Sequence, residues 1–184
     1  MSTPRKRALC VALALYTTAT LVAAAEGPGL GVAVSADRLA AADISIPPDG
    51  MGLPPGSGTA VAGEKVFQGR CIACHGEKGQ GGLHDPLVGG HGTLATPRPV
   101  KTVGSYWPYA TTVFDYVRRA MPYYEPRTLT DSETYAVTAY LLWLNGIIGQ
   151  RAVMNSATLP KVKMPNRDNF VWTAEVPAPA RKSH

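Results

Sequence analysis

The chain has 184 residues, with 18 Lys and Arg against 13 Asp and Glu, a formal net charge of +5. Three of the basic residues, Arg5, Lys6 and Arg7, stand together near the N-terminus. Without them the balance is 15 against 13, too even for the basic patch or stripe that a nucleic-acid protein needs. After these three residues comes an apolar run from Ala8 to about Ala25, closed by Ala23-Ala24-Ala25 before Glu26. A positive start, an apolar middle and an Ala-x-Ala end spell a secretory signal peptide, cleaved near Ala25. A retained anchor is the rival reading, but Ala and Thr dilute the run, so no stable membrane span is expected after cleavage. Cys10 lies near the start of the run and leaves with it, which sets aside a lipid-anchored form. The product is expected in the periplasm, long enough for one domain with a modest core.

Residues 26–58 are rich in Ala, Gly and Pro, and the stretch Ile46-Pro47-Pro48-Asp49-Gly50-Met51-Gly52-Leu53-Pro54-Pro55-Gly56-Ser57-Gly58 cannot hold a regular helix or a central strand. This is an extended arm or linker; Ile46, Met51 and Leu53 suggest that it lies along the domain surface. Thr59 opens a short helical pattern with Val61, Val66 and Phe67 that leads straight into Cys71. Residues 76–108 read as irregular. A second helix is predicted from about Tyr109 to Ala120, with Val113, Phe114 and Val117 on one face and Pro122 as the stop. The third is the clearest: Thr130-Asp131-Ser132-Glu133 has capping-box spacing, Val137, Tyr140, Leu141, Leu144 and Ile148 follow one stripe, and Asn145-Gly146 ends it. No repeat and no strand pattern is visible. The expected organisation is an all-α, loop-rich domain at 59–159, preceded by the arm and followed by a surface-hugging tail at 160–184.

The chemistry lies at Cys71-Ile72-Ala73-Cys74-His75. Cys-x-x-Cys-His is the c-type haem attachment signature. On a helical turn, residues three apart point the same way, so two thiols can bond both vinyl groups on one porphyrin edge while the adjoining His reaches the iron. A thioredoxin-like pair is expected beside a βαβ pattern, which is absent. A zinc site needs more thiol or imidazole ligands. A plain disulfide, which export favours, leaves His75 unexplained. One covalent haem c is therefore expected.

Beyond this motif the chain resembles the class I cytochromes c, and the resemblance implies that fold. It also implies a Pro carbonyl beside the free nitrogen of the axial His, at Pro86 in Asp85-Pro86-Leu87-Val88-Gly89-Gly90, to orient His75. The sixth ligand is implied downstream, from Met51, Met121, Met154, Met164, His84 or His91. Met121-Pro122, between two helices, occupies the place where such cytochromes supply a Met; Met164-Pro165 repeats the dipeptide after the last strong helix. Met121 is favoured over Met164, and either over a His. Tyr106 and Trp107 are candidates for haem-edge packing and propionate hydrogen bonds, with ordinary core packing as the alternative. Arg118 and Arg119 could also face propionates, although exposed helix charges are the simpler reading.

More specific still are Thr102-Val103-Gly104-Ser105-Tyr106-Trp107-Pro108-Tyr109-Ala110-Thr111-Thr112, Phe114-Asp115-Tyr116-Val117-Arg118-Arg119-Ala120-Met121-Pro122, Thr138-Ala139-Tyr140-Leu141-Leu142 and Met164-Pro165-Asn166-Arg167-Asp168. With the Pro48–Gly58 stretch, they resemble the cytochrome subunit of periplasmic sulfite or sulfur dehydrogenases, including that of the Sox sulfur-oxidation complex, over roughly residues 40–172. The resemblance implies a one-electron carrier that is not catalytic alone, a molybdenum-cofactor subunit as its electron donor, and a downstream cytochrome c or oxidase. The Sox cytochrome is commonly larger, with a second haem domain, whereas this sequence holds one haem motif. That leaves the partner's substrate open. Two other readings stand beside this one: a free, diffusible cytochrome, and a haem enzyme or sensor with an open iron position.

Overall fold

Residues 30–170 are described by the computed structural model. The signal-like segment at 1–25 and the last part of the tail, 171–184, lie outside the described residues. Among the described residues no helix is long and apolar enough to cross a membrane. The chain divides into two units, residues 1–42 and 43–184.

In the first unit, helix α1 spans Ala36–Ala42 and buries none of its residues. Its alanines have the highest helix propensity, and Asp37 sits in the first turn, where a negative charge suits the helix dipole. The predicted extended arm thus contains a short helix.

The second unit begins at Asp43, so the remainder of the predicted arm, residues 43–58, belongs to the folded body. Proline has no N–H and leaves its neighbours' carbonyls without ladder partners. Side chains from distant helices supply them. The Thr111 hydroxyl donates to the Pro48 carbonyl at 2.9 Å and the Tyr135 hydroxyl to the Pro54 carbonyl at 2.9 Å. The Ile46 N–H donates to Asp115 Oδ1 at 2.9 Å, and Ile46 is buried in the core. Of the three apolar residues expected to lie on the body, Ile46 and Leu53 pack while Met51 stays exposed.

Strand β1 (Ser57–Gly58) pairs antiparallel with β2 (Met154–Asn155). Two residues are too few to leave an alternating pattern in a sequence. Helix α2 (Ala60–Arg70) starts at Thr59, whose hydroxyl accepts the Ala62 N–H at 3.3 Å. A single turn, α3 (Ile72–His75), follows directly. Helix α4 (Ala110–Ala120) ends with Met121 as its C-cap, and α5 (Asp131–Leu144) opens with the predicted capping box between Thr130 and Glu133.

Helix α5 is the centre of the body. Every residue from Thr134 to Leu142 is buried, so the single stripe expected from the sequence gives way to an element covered all round, and Ile148 lies beyond its end. Helix α2 crosses it closely: a Cβ on Gly63 would collide with the Ala136 carbonyl, and one on Gly58 with the Ala136 backbone nitrogen. Phe67 packs on Tyr140 with ring centroids 5.3 Å apart, and Phe114 on Tyr135 at 4.4 Å. Single turns of 3₁₀ helix at Leu159–Lys161 and Arg167–Asn169 follow. Within the tail, Met164 and Asn166 are buried while most of residues 161–170 stay exposed.

Candidate haem centre

Helix α2 delivers the attachment turn. The Cys71 N–H still bonds the Phe67 carbonyl at 2.9 Å, and the His75 N–H bonds the Cys71 carbonyl at 3.0 Å. Cys71 and Cys74 therefore sit three residues apart on one helical turn, both half-buried. As a thiol, Cys71 is pushed up to about 11 by burial; the Arg70 charge works against this and Cys74 adds to it. Gly76 then turns the chain at a φ of 77°, and a Cβ there would stand 2.6 Å from the Gly81 carbonyl oxygen.

The next loop folds back over this turn. The His84 N–H bonds the Cys74 carbonyl and the Gly81 N–H bonds the His75 carbonyl, each at 2.9 Å. His75 Nδ1 lies 3.3 Å from the Asp85 carbonyl oxygen. A carbonyl only accepts, so Nδ1 carries the proton and Nε2 keeps its lone pair for a metal. The orienting carbonyl thus belongs to Asp85 and not to Pro86. Pro86 acts one step removed, because a residue before proline is held away from the helical region, which sets the direction of the Asp85 peptide.

The Met121 N–H bonds the Val117 carbonyl at 3.0 Å. Its side chain is half-buried, packed against the same apolar cluster as Cys71 and Trp107. The other methionines are placed differently. Met154 and Met164 are only 5% and 4% exposed within the packed core, and Met51 is 57% exposed. The His84 ring stands beside His75, centroids 6.2 Å apart, and is exposed, as is His91. Trp107 is half-buried and meets Tyr116 edge-on at 5.7 Å. Its neighbour Tyr106 makes other contacts, with the Phe170 ring at 5.5 Å and Lys101 Nζ at 5.1 Å. Tyr106 lines a cavity of about 620 Å³ together with Lys101, Ser105, Asn169 and Phe170, and none of Cys71, Cys74, His75 or Met121 borders it. The two neighbouring aromatics thus make different contacts. Arg118 and Arg119, considered for propionates, are ion-paired with Asp131 and Asp115.

These residues fit a covalently held haem. The set comprises two thiols on one turn, an imidazole with its far nitrogen fixed by a carbonyl, and a thioether that the core has not enclosed. Among the described residues no group of three or more His, Cys, Asp and Glu is placed to hold a bare metal ion.

The cytochrome c family model matches residues 60–145. A chain of the sulfane dehydrogenase SoxCD from Paracoccus pantotrophus is similar in structure with a TM-score of 0.74 and 42% identity, over 80% of this chain and 73% of that one. The chain belongs to the cytochrome c family. It is an electron carrier of the class that holds haem c covalently, and its fold is the class I cytochrome c fold. A chain of the thiosulfate dehydrogenase (TsdBA) from Marichromatium purpuratum aligns with a TM-score of 0.36 and 24% identity, over 50% of this chain and 20% of that one. A search of the curated proteins gave no match.

Two supports of this cytochrome's centre escape a reading of the sequence. Asn145, read as a helix end signal, donates its amide to the Leu87 carbonyl at 3.1 Å and the Leu141 carbonyl at 2.8 Å, and accepts the Gly89 N–H at 3.2 Å. It ties the 87–89 loop to α5. Thr102 donates its hydroxyl to the Gly89 carbonyl at 2.6 Å and accepts the Ser105 N–H at 3.1 Å. The signal available for either was a lone polar residue, which names no partner.

Proposed function

We propose that this cytochrome is an exported, periplasmic electron-transfer subunit that accepts electrons one at a time from a molybdenum-dependent sulfite or sulfur dehydrogenase subunit. The observation that carries this reading is the 42% identity with a SoxCD sulfane dehydrogenase chain across most of both chains. One haem is expected, because the sequence holds one Cys-x-x-Cys-His. Haem supplies a one-electron couple whose potential rises when a thioether is an axial ligand.

The chain's own residues do the rest. Cys71 and Cys74 would hold the haem through two thioether links. His75, whose Nδ1 is held by the Asp85 carbonyl, would offer Nε2 to the iron. Met121 would offer its sulfur. Leu87 and Trp107 are half-buried against the apolar core. If His75 and Met121 both held the iron, small molecules would have to displace one of them to bind, which would suit a carrier better than an oxygen- or peroxide-handling enzyme.

The test is reduction of the purified ferric protein by periplasmic extract, with sulfite, thiosulfate or no substrate added. Reduction that needs sulfite or thiosulfate supports the reading and identifies the substrate class. Reduction equally fast without either assigns the protein to general, diffusible electron transfer.

A further inference from the structure

Arg70 is the last residue of α2 and immediately precedes Cys71. Its guanidinium reaches across the fold to the loop that follows Met121. It donates to Glu125 Oε2 at 2.9 Å and to Thr128 Oγ1 at 2.6 Å. These are the side-chain hydrogen bonds that join residues 122–129 to the rest of the body among the described residues.

The loop is built to pass this restraint on. The Glu125 N–H bonds the Pro122 carbonyl at 3.0 Å, and the Thr128 hydroxyl bonds the Glu125 carbonyl at 2.8 Å. Holding Glu125 therefore holds Pro122, the neighbour of Met121. On its N-terminal side Met121 is already fixed by the helical bond to Val117. Tyr123 and Tyr124, 66% and 78% exposed, anchor nothing. The Arg70 charge also reaches the start of α5. There Glu133 is held below its ordinary value first by hydrogen bonds from the Thr130 backbone and side chain, and last by Arg70.

We infer that Arg70 is a positioning residue that locks the Met121 loop against the haem-attachment turn, slowing loss of the methionine sulfur to competing ligands. The inference rests on Met121 as axial ligand. One guanidinium links two stretches of chain, at residue 70 next to Cys71 and at residues 125 and 128 in the loop after Met121. Both bonds leave the single nitrogen Nη2, and the one to Glu125 is charge-assisted.

The experiment titrates imidazole into the ferric holoprotein, following the sulfur-to-iron charge-transfer absorption, in the native protein and in R70Q, R70K, E125Q, T128V and M121A. R70Q is expected to lose its methionine at about fivefold lower imidazole, in line with a partly exposed, doubly bonded ion pair. R70K is expected to recover part of this, and E125Q and T128V to show smaller shifts of the same sign. If R70Q does not fold, E125Q and T128V carry the test, since both residues are exposed. Unchanged imidazole affinity in these variants overturns the lock, even if unfolding midpoints fall, because a merely structural Arg70 moves only the latter. If M121A keeps the absorption, the ligand assignment fails and the lock fails with it. If M121A loses it while R70Q, E125Q and T128V behave as the native protein, the lock alone fails.

Discussion

At the scale of single residues, a half-buried methionine at a helix end differs physically from one enclosed in a core. Met164 repeats the Met-Pro dipeptide of Met121, yet it is already packed by protein on all sides. Met121→Ala is expected to abolish the sulfur-to-iron absorption and to lower the reduction potential, as loss of a thioether ligand does; Met164→Ala is expected to keep the absorption and to cost about 2–5 kcal/mol of stability, as a buried Met truncation does. Absorption spectra and denaturant titrations of the two variants distinguish these roles, and the reverse pattern would transfer the ligand to Met164. The turn that carries Cys71, Cys74 and His75 was legible because it is local, five consecutive residues. The orienting carbonyl was legible only to within one residue. Pro86 is visible in a sequence, but the carbonyl that meets Nδ1 belongs to Asp85, and only the folded loop shows which peptide faces the ring.

Among the elements, the three main helices were legible because each carries its own start or stop: Thr59, Pro122, and the Thr130–Glu133 box. The box makes a pH-dependent prediction. Bonds from the Thr130 backbone and side chain hold the Glu133 carboxyl below its ordinary value of 4.5. A depressed acid contributes stability that is present above its unfolded value and is lost as pH falls through the folded value. Thr130→Ala is therefore expected to cost about 1 kcal/mol at neutral pH and to flatten the acid limb of the stability profile below about pH 4.5. Equal acid sensitivity in variant and native protein would remove the box from the account. The crossing of α2 and α5 was not legible, since a glycine within a helix pattern names no partner. Gly63→Ala pushes a methyl into the Ala136 carbonyl and is expected to cost about 1–3 kcal/mol, read from the denaturation midpoint. A neutral result would mean that the helices separate freely.

Across the whole molecule, the least legible feature is how the Pro- and Gly-rich stretch joins the body. It has no periodicity, and its bonds run to Thr111 and Tyr135, 63 and 81 residues away. Such pairing follows from topology, which composition does not report. Tyr135→Phe strands the Pro54 carbonyl in the interior and is expected to cost about 1–3 kcal/mol, measured by chemical unfolding. A loss within error would show that the segment lies loosely on the body. The same integration bears on function. Part of residues 43–58 is committed to the fold, while Met51 and the exposed Tyr123 and Tyr124 in the loop after Met121 remain free surface. The most direct measurement on the central claim is affinity capture of the mature holoprotein from periplasm, with molybdenum and substrate-dependent haem reduction assayed in the bound fraction. The account predicts molybdenum in that fraction and haem reduction on adding sulfite or a sulfane donor. A monomer free of molybdenum, left oxidised by both donors in whole periplasm, would contradict it.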